Sequence, residues 1–217
     1  MIHDQSRAFL IGASDASYVT GNWKTETFRK WFKEKLGLTV FTPKWSNEYT
    51  NAGTYYEHAV LERIPGVVMD EQVLLEDLNL RVNYDGIVYH GGGCTIYEVK
   101  THKADKPFKV SKQYWRQAQV EMFAKKTNLL YIVAYPLTDE HYRNFFIPVD
   151  RAKMELIPVE YDPVWIQREF LPKLDYVSKC IWRGKYPQEA EFEGLFERKS
   201  KGVQNHAKGK TGCLRKR

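Results

Sequence analysis

The chain has 217 residues, of which 43% are hydrophobic and 14% aromatic, enough to bury the core of one compact domain and to exclude a wholly disordered chain. Its net charge of +6 is unevenly spread: residues 198–217 carry eight basic and no acidic side chains, which leaves 25 of the 33 basic residues against 27 acids, a net −2, in the rest. The longest apolar runs, such as residues 129–134, are too short to span a bilayer, and the three scattered cysteines, Cys94, Cys180 and Cys213, form no C-x-x-C pair and so exclude a zinc cluster or disulfide framework.

In chain order, Ser14 is expected to cap a short helix that runs to Tyr18 and is stopped by Gly21. Thr25 opens a better one, with Phe28, Trp31, Phe32 and Leu36 at helical spacing and Gly37 as its stop. Residues 45–53 read as a polar loop. Thr54 then begins a third helix carrying Tyr56, Val60, Leu61 and Ile64, ended by Pro65-Gly66. Residues 67–75 are extended. Residues 80–89 alternate, Gly91-Gly92-Gly93 makes a turn, and residues 95–100 return as the second arm of a hairpin. A helix over 111–126, a buried strand over 129–135 and a further strand over 145–149 follow. Residues 163–183 read as a long amphipathic helix kinked at Pro172. This order predicts an α/β (α+β) domain, a central mixed sheet flanked by helices, over residues 1–197. Residues 198–217 form a basic tail whose charge suits phosphate backbones. No signal peptide is legible behind the early acid Asp4, so the chain is expected to stay in the cytoplasm.

Three residues on the predicted hairpin carry chemistry. Asp85 sits mid-strand. Glu98 and Lys100 are two apart, so on a strand they share a face while Val99 points the other way. If the two strands pair, Asp85 comes beside Glu98. Two carboxylates at short range repel unless a cation compensates them, and a hard divalent ion, Mg2+ or Mn2+, is the natural partner. Such an ion activates water and polarises a phosphoryl oxygen, with Lys100 on the same face to orient or help deprotonate that water.

The segment Tyr84-Asp85 followed by Glu98-Val99-Lys100 resembles the PD-(D/E)XK nuclease core, a restriction-endonuclease-like fold. More specifically the chain resembles the phage lambda-type exonucleases, also called YqaJ-like viral recombinases. Four blocks carry the resemblance: residues 7–16 (RAFLIGASDA), Gly53-Thr54-Tyr55-Tyr56-Glu57, the hairpin, and residues 114–119 (YWRQAQ). It implies that Asp85, Glu98 and the Val99 carbonyl bind Mg2+ (with Mn2+ able to substitute), and that Glu57 holds water in the same shell. Lys100 and Gln117 would orient the attacking water, and Arg7 and Ser14 would bind a DNA 5′-phosphate. It further implies 5′-to-3′ digestion of linear duplex in a host cytoplasm, a single-strand annealing protein as partner, and a homo-trimer. Tyr84 in place of the motif's proline, Thr101-His102 after the lysine, and a short stretch from Lys100 to Gln117 depart from the family pattern. Two other functions fit the residues less well. An endonuclease on the same core leaves a 5′-phosphate site without purpose. An inert DNA-binding or host-takeover protein leaves Asp85, Glu98 and Lys100 unexplained.

Overall fold

The structure, a computed structural model, describes residues 9–39 and 48–195. Arg7, Trp45, Cys213 and the basic tail lie outside the described residues.

The chain opens with a two-residue strand β1 (Ile11–Gly12), a 3-10 turn (Ala13–Asp15) and a short helix α1 (Ala16–Val19). Ser14 falls inside the 3-10 turn and is not the cap expected of it. Gly12 and then Asp15 occupy the two cap positions, and the Gly12 N–H donates to the Asp15 carboxylate at 2.9 Å. Asp15 also accepts from the Trp31 indole N–H at 2.8 Å and pairs with Lys35 at 2.8 Å, which ties this turn to helix α2 (Glu26–Lys35). Thr25 caps α2 through its hydroxyl, and Gly37 ends it with φ +65°, a conformation glycine adopts without steric cost.

Helix α3 (Glu48–Leu61) begins six residues before Thr54, so residues 48–53 are helix and not loop. There follow β2 (Val67–Leu75), β3 (Leu80–His90), β4 (Gly93–Lys103), α4 (Lys112–Lys125, capped by Ser111), β5 (Leu130–Leu137) and α5 (Asp139–Arg143). The strand expected over 145–149 is irregular chain, and its place at the sheet edge is taken by β6 (Glu155–Val159). The last helical stretch runs α6 (Pro163–Trp165), a π-helical turn (Ile166–Phe170) and α7 (Leu171–Trp182). Pro172 offers no N–H to the preceding turn, and the helix widens there into a π-turn where a kink was expected.

Among the described residues the sheet is mixed and six-stranded, in the order β1-β3-β4-β5-β6 with β2 on the other side of β3. One face is covered by α1, α2, α4 and α7. Ile11, Phe28, Phe32, Tyr84, Ile96, Met122, Phe170 and Val177 meet there. The opposite face is covered by α3 and α5, around Tyr56, Leu61, Val99, Val133 and Tyr135. Burying these side chains on both faces is the main driving force for the fold. Trp23 and Trp31 are core residues at 2% and 5% exposure.

The edge of β3 facing β4 decides where a site can form. β1 pairs with Leu80 and Arg81 at its start, and β4 pairs with Gly86 to His90 at its end. Residues 82–85 therefore have no strand neighbour on that edge among the described residues. β4, meanwhile, leaves β3 after Tyr97 and runs on beside β5 as far as Lys103. The sheet forks, and the fork leaves a notch between Asp85 and the second half of β4.

Two local features adjoin the notch. Asp70 on β2 takes φ +58° opposite it, and the alternation of β3 slips, since Tyr84 and Ile87 both enter the same core. Gly86 follows Asp85. A Cβ there would stand 2.5 Å from Leu61 Cδ2 and 2.7 Å from Val67 Cγ2, so α3 rests directly on the glycine.

Candidate active site

Glu98 and Lys100 project from the same face of β4 toward α4, as their spacing requires, and Val99 enters the opposite core. Glu98 is 3% exposed, and one of its oxygens, Oε1, accepts from Lys100 Nζ at 2.5 Å and from Gln117 Nε2 at 2.5 Å. Its other oxygen, Oε2, is buried without a hydrogen-bond partner among the described residues. Asp85 reaches across the notch, and its Oδ2 accepts from the Val99 N–H at 2.9 Å in place of a ladder bond. The carboxylate thus lies against the backbone between Glu98 and Lys100.

Gln117 on α4 is a bridge. Its amide Nε2 also donates to Glu121 Oε1 at 2.8 Å, so one NH2 group serves two buried carboxyls. Glu121 was not anticipated from sequence. It lies four residues after Gln117, one helical turn on the same inward face, is fully buried, and keeps an Oε2 without a hydrogen-bond partner among the described residues. Its i,i+4 spacing from Gln117 is the signal that could have found it. Gln113, one turn the other way, is exposed and takes no part. Gln119 serves the fold: its amide accepts from Asp162 N–H at 2.6 Å and donates to the Glu160 carbonyl at 2.8 Å, fixing the chain between β6 and α6.

The electrostatics are those of acids crowded out of water. Burial, then Glu98 and Glu57, push the Asp85 carboxyl well above the usual carboxylate range. Burial and Glu98 push Glu121 well above it too. Glu57, on α3, is raised by burial and by Glu98. The fork in the sheet thus lets an acid from the α3 layer feel acids on the α4 side. Burial works against the charge on Lys100, but Glu98 and Asp85 outweigh it and hold the ammonium protonated. The Lys100 ammonium also lies 5.2 Å from the centre of the Tyr114 ring.

Of the residues singled out in the sequence, Asp85, Glu98, Val99, Lys100, Glu57 and Gln117 are brought together. Ser14 is exposed on the turn that packs against α4, and its hydroxyl has no partner among the described residues. Arg7 lies outside them. His58 pairs with Asp70 at 3.2 Å, close to Glu57.

The donor set suits a hard divalent cation: the groups are oxygens, the acids are crowded together, and Glu98 Oε2 has no hydrogen-bond partner among the described residues. Among the described residues no three His, Cys, Asp or Glu side chains close round a common point tightly enough to hold a metal ion alone. A cation here would rest on two carboxylates, with a backbone carbonyl and water completing its shell.

No protein-family model matches the chain, and neither does any curated protein sequence. Solved structures do match in fold. An alkaline exonuclease from Laribacter hongkongensis aligns with 90% of this chain and 96% of its own, at a TM-score of 0.57 and 18% identity. The complex of that enzyme with dAMP aligns over the same shares at 0.55 and 19%. A phage-related exonuclease from Haemophilus somnus aligns with 90% of this chain and 99% of its own, at 0.57 and 16%. The chain therefore has the α/β fold of these exonucleases over nearly all of their length, as the sheet motif led one to expect.

Proposed function

We propose that this chain is a divalent-metal-dependent exonuclease that digests linear double-stranded DNA from its 5′ ends and leaves 3′ single strands for recombination. The observation that carries this reading is the notch itself. It sets Asp85 against the Glu98-Val99-Lys100 segment, with a buried carboxylate oxygen that has no partner among the described residues. The fold shared with solved exonucleases supports it.

Asp85, Glu98 and the Val99 carbonyl are the residues that would hold Mg2+ or Mn2+, with Glu57 reaching the same site through water. The cation, when bound, supplies charge to the phosphoryl group and lowers the pKa of water. Glu98 is already held in one orientation by Lys100 and Gln117, so it need not be reordered on binding. Lys100 stays charged beside the carboxylates and acts as a donor, orienting the attacking water and offsetting charge that develops on phosphorus oxygens. Gln117 keeps Glu98 and Glu121 apart in charge by donating to both. An annealing protein would take up the 3′ strand, and a trimer would keep the enzyme on its substrate.

Polarity is read from a duplex labelled at either 5′ or 3′ ends. Early release of label from the 5′ ends is expected. Early release from the 3′ ends would reverse the assignment.

The raised acids also fix a pH dependence. A carboxyl whose folded pKa lies above its unfolded value favours the folded state most when protonated. That contribution is complete below the ordinary carboxylate pKa of about 4 and is lost as pH rises through the raised folded value. Without metal, Asp85 and Glu121 should therefore make the protein less stable as pH is raised from mildly acid toward neutral. Mg2+ or Mn2+ should restore the loss and release protons as it binds. Melting temperatures in EDTA and in Mn2+ across that range check this. Equal melting curves with and without metal at every pH would count against a cation site.

A further inference from the structure

Outside the tail, the sequence holds fewer basic than acidic residues, so a polyanion needs a local patch of positive charge to be held there. The connection from β4 to α4 supplies one. Lys103, Lys106, Lys109 and Lys112 fall within ten residues that include one acid, Asp105. All four lysines are exposed, and among the described residues none forms an ion pair. Lys24, Lys30, Lys173 and Lys179, elsewhere on the surface, are each paired with a carboxylate.

The connection is anchored to the site at both ends. It joins the strand carrying Glu98 and Lys100 to the helix carrying Gln117 and Glu121. Midway, Phe108 stacks on Tyr114 with ring centres 6.1 Å apart and packs against His102 at 5.4 Å, so its course is set by aromatic contacts. At its start, Lys103 Nζ lies 5.0 Å from the centre of the Tyr49 ring on α3. Tyr49, Gly53 and Glu57 follow at i, i+4 and i+8, so Tyr49 stands about 12 Å along the helix from Glu57. Lys103 thus stands beyond the notch, beside a ring about 12 Å of helix from Glu57, and the other three lysines follow it in the connection.

We infer that this lysine-rich connection holds the sugar–phosphate backbone of DNA beside the cleavage notch. The inference rests on the nuclease reading for the identity of the polyanion. Paired and unpaired strands both offer this chemistry, and they differ in counterion release, about 0.9 per phosphate contact on duplex and about 0.7 on single strand.

The test is equilibrium binding of the full chain in EDTA, where nothing is cut, to a short labelled duplex and to its single strand over a range of salt. In one variant Lys103, Lys106, Lys109 and Lys112 are all changed to alanine. In a control of equal charge change, Lys24, Lys30, Lys173 and Lys179 are. A third variant carries arginine at the first four positions and reports on folding and charge together. The connection variant should lose about 2 to 4 from the slope of log K against log salt, and bind at least about tenfold more weakly at moderate salt. The arginine variant should keep the wild-type slope, and the control should lose less than about one. A greater loss on duplex assigns the paired backbone, and a loss confined to single strand assigns the unpaired one. A wild-type slope in the connection variant, or the same loss in the control, would overturn the inference. Because no cleavage is involved, a protein that binds in this way yet never cuts would refute the nuclease reading alone.

Discussion

Changing Asp85 to asparagine should abolish cleavage and at the same time raise the melting temperature of the metal-free protein. The two effects have one cause. Asp85 is buried beside Glu98 and Glu57, and its charge is opposed by both. Asparagine keeps an oxygen that can accept the Val99 N–H at the same place but removes the charge, so the apoprotein loses a repulsion. The variant also loses a hard anionic donor. Loss of a donor on which phosphoryl activation depends costs several kcal/mol of barrier, and about 4 kcal/mol is a thousandfold in rate. Glu98→Ala should be as inactive. Lys100→Ala should be inactive too, but without the gain in stability, because it leaves Glu98 without its cationic partner. Initial rates on linear duplex in Mg2+ and melting curves in EDTA check the set. Activity within about tenfold of wild type in all three would remove these residues from the chemistry. A destabilised Asp85→Asn apoprotein would show that the carboxylate serves the fold.

The second large effect concerns the DNA end. A duplex bearing a 5′-phosphate should be digested about tenfold to a hundredfold faster than the same duplex ending in a 5′-hydroxyl, since a charge-assisted hydrogen bond contributes about 1.5–3 kcal/mol. The proposed grip is Arg7 with Ser14. The structure supports the serine's part in one respect: Ser14 is not a helix cap, and its exposed hydroxyl is uncommitted among the described residues, on the turn that packs against α4. Arg7→Ala and Ser14→Ala should each erase most of the preference while leaving slow digestion of unphosphorylated ends. Rates on the matched substrates decide it. Equal rates on both ends in the wild type would return Ser14 to the solvent.

What was legible in the sequence was what depends on local period. Glu98 and Lys100 share a face because strands alternate, and β2 was bounded correctly at Val67 and Leu75. Thr25 and Ser111 cap helices as their hydroxyls suggest. What failed depended on partners far along the chain. Ile147-Pro148-Val149 and Ile157-Pro158-Val159 are the same tripeptide, and no local rule prefers one as a strand. Only the second pairs with β5, at an edge where a proline's missing N–H is tolerated. Asp85 lies one residue beyond the last β3–β4 pair, Gly86 with Tyr97, and the notch it faces arises because β1 and β4 divide one edge of β3. That division is set by contacts about 70 residues apart and carries no sequence signature. Glu121 was passed over because a glutamate one turn after Gln117 has the ordinary look of a solvated helix face. Its complete burial follows from α4 lying flat against the sheet.

The central claim is a metal-dependent nuclease that needs a DNA end, and digestion of linear and closed-circular duplex side by side, in Mg2+ and in EDTA, tests it most directly. The proposed cation site rests on the fork at Asp85 and on the Glu98 oxygen without a partner among the described residues, and the proposed 5′-phosphate grip calls for a DNA end. The expected result is progressive loss of the linear duplex in Mg2+, with the circles intact and both substrates intact in EDTA. Rapid cutting of closed circles would make the protein an endonuclease on the same fold, and digestion that persists in EDTA would contradict the metal site.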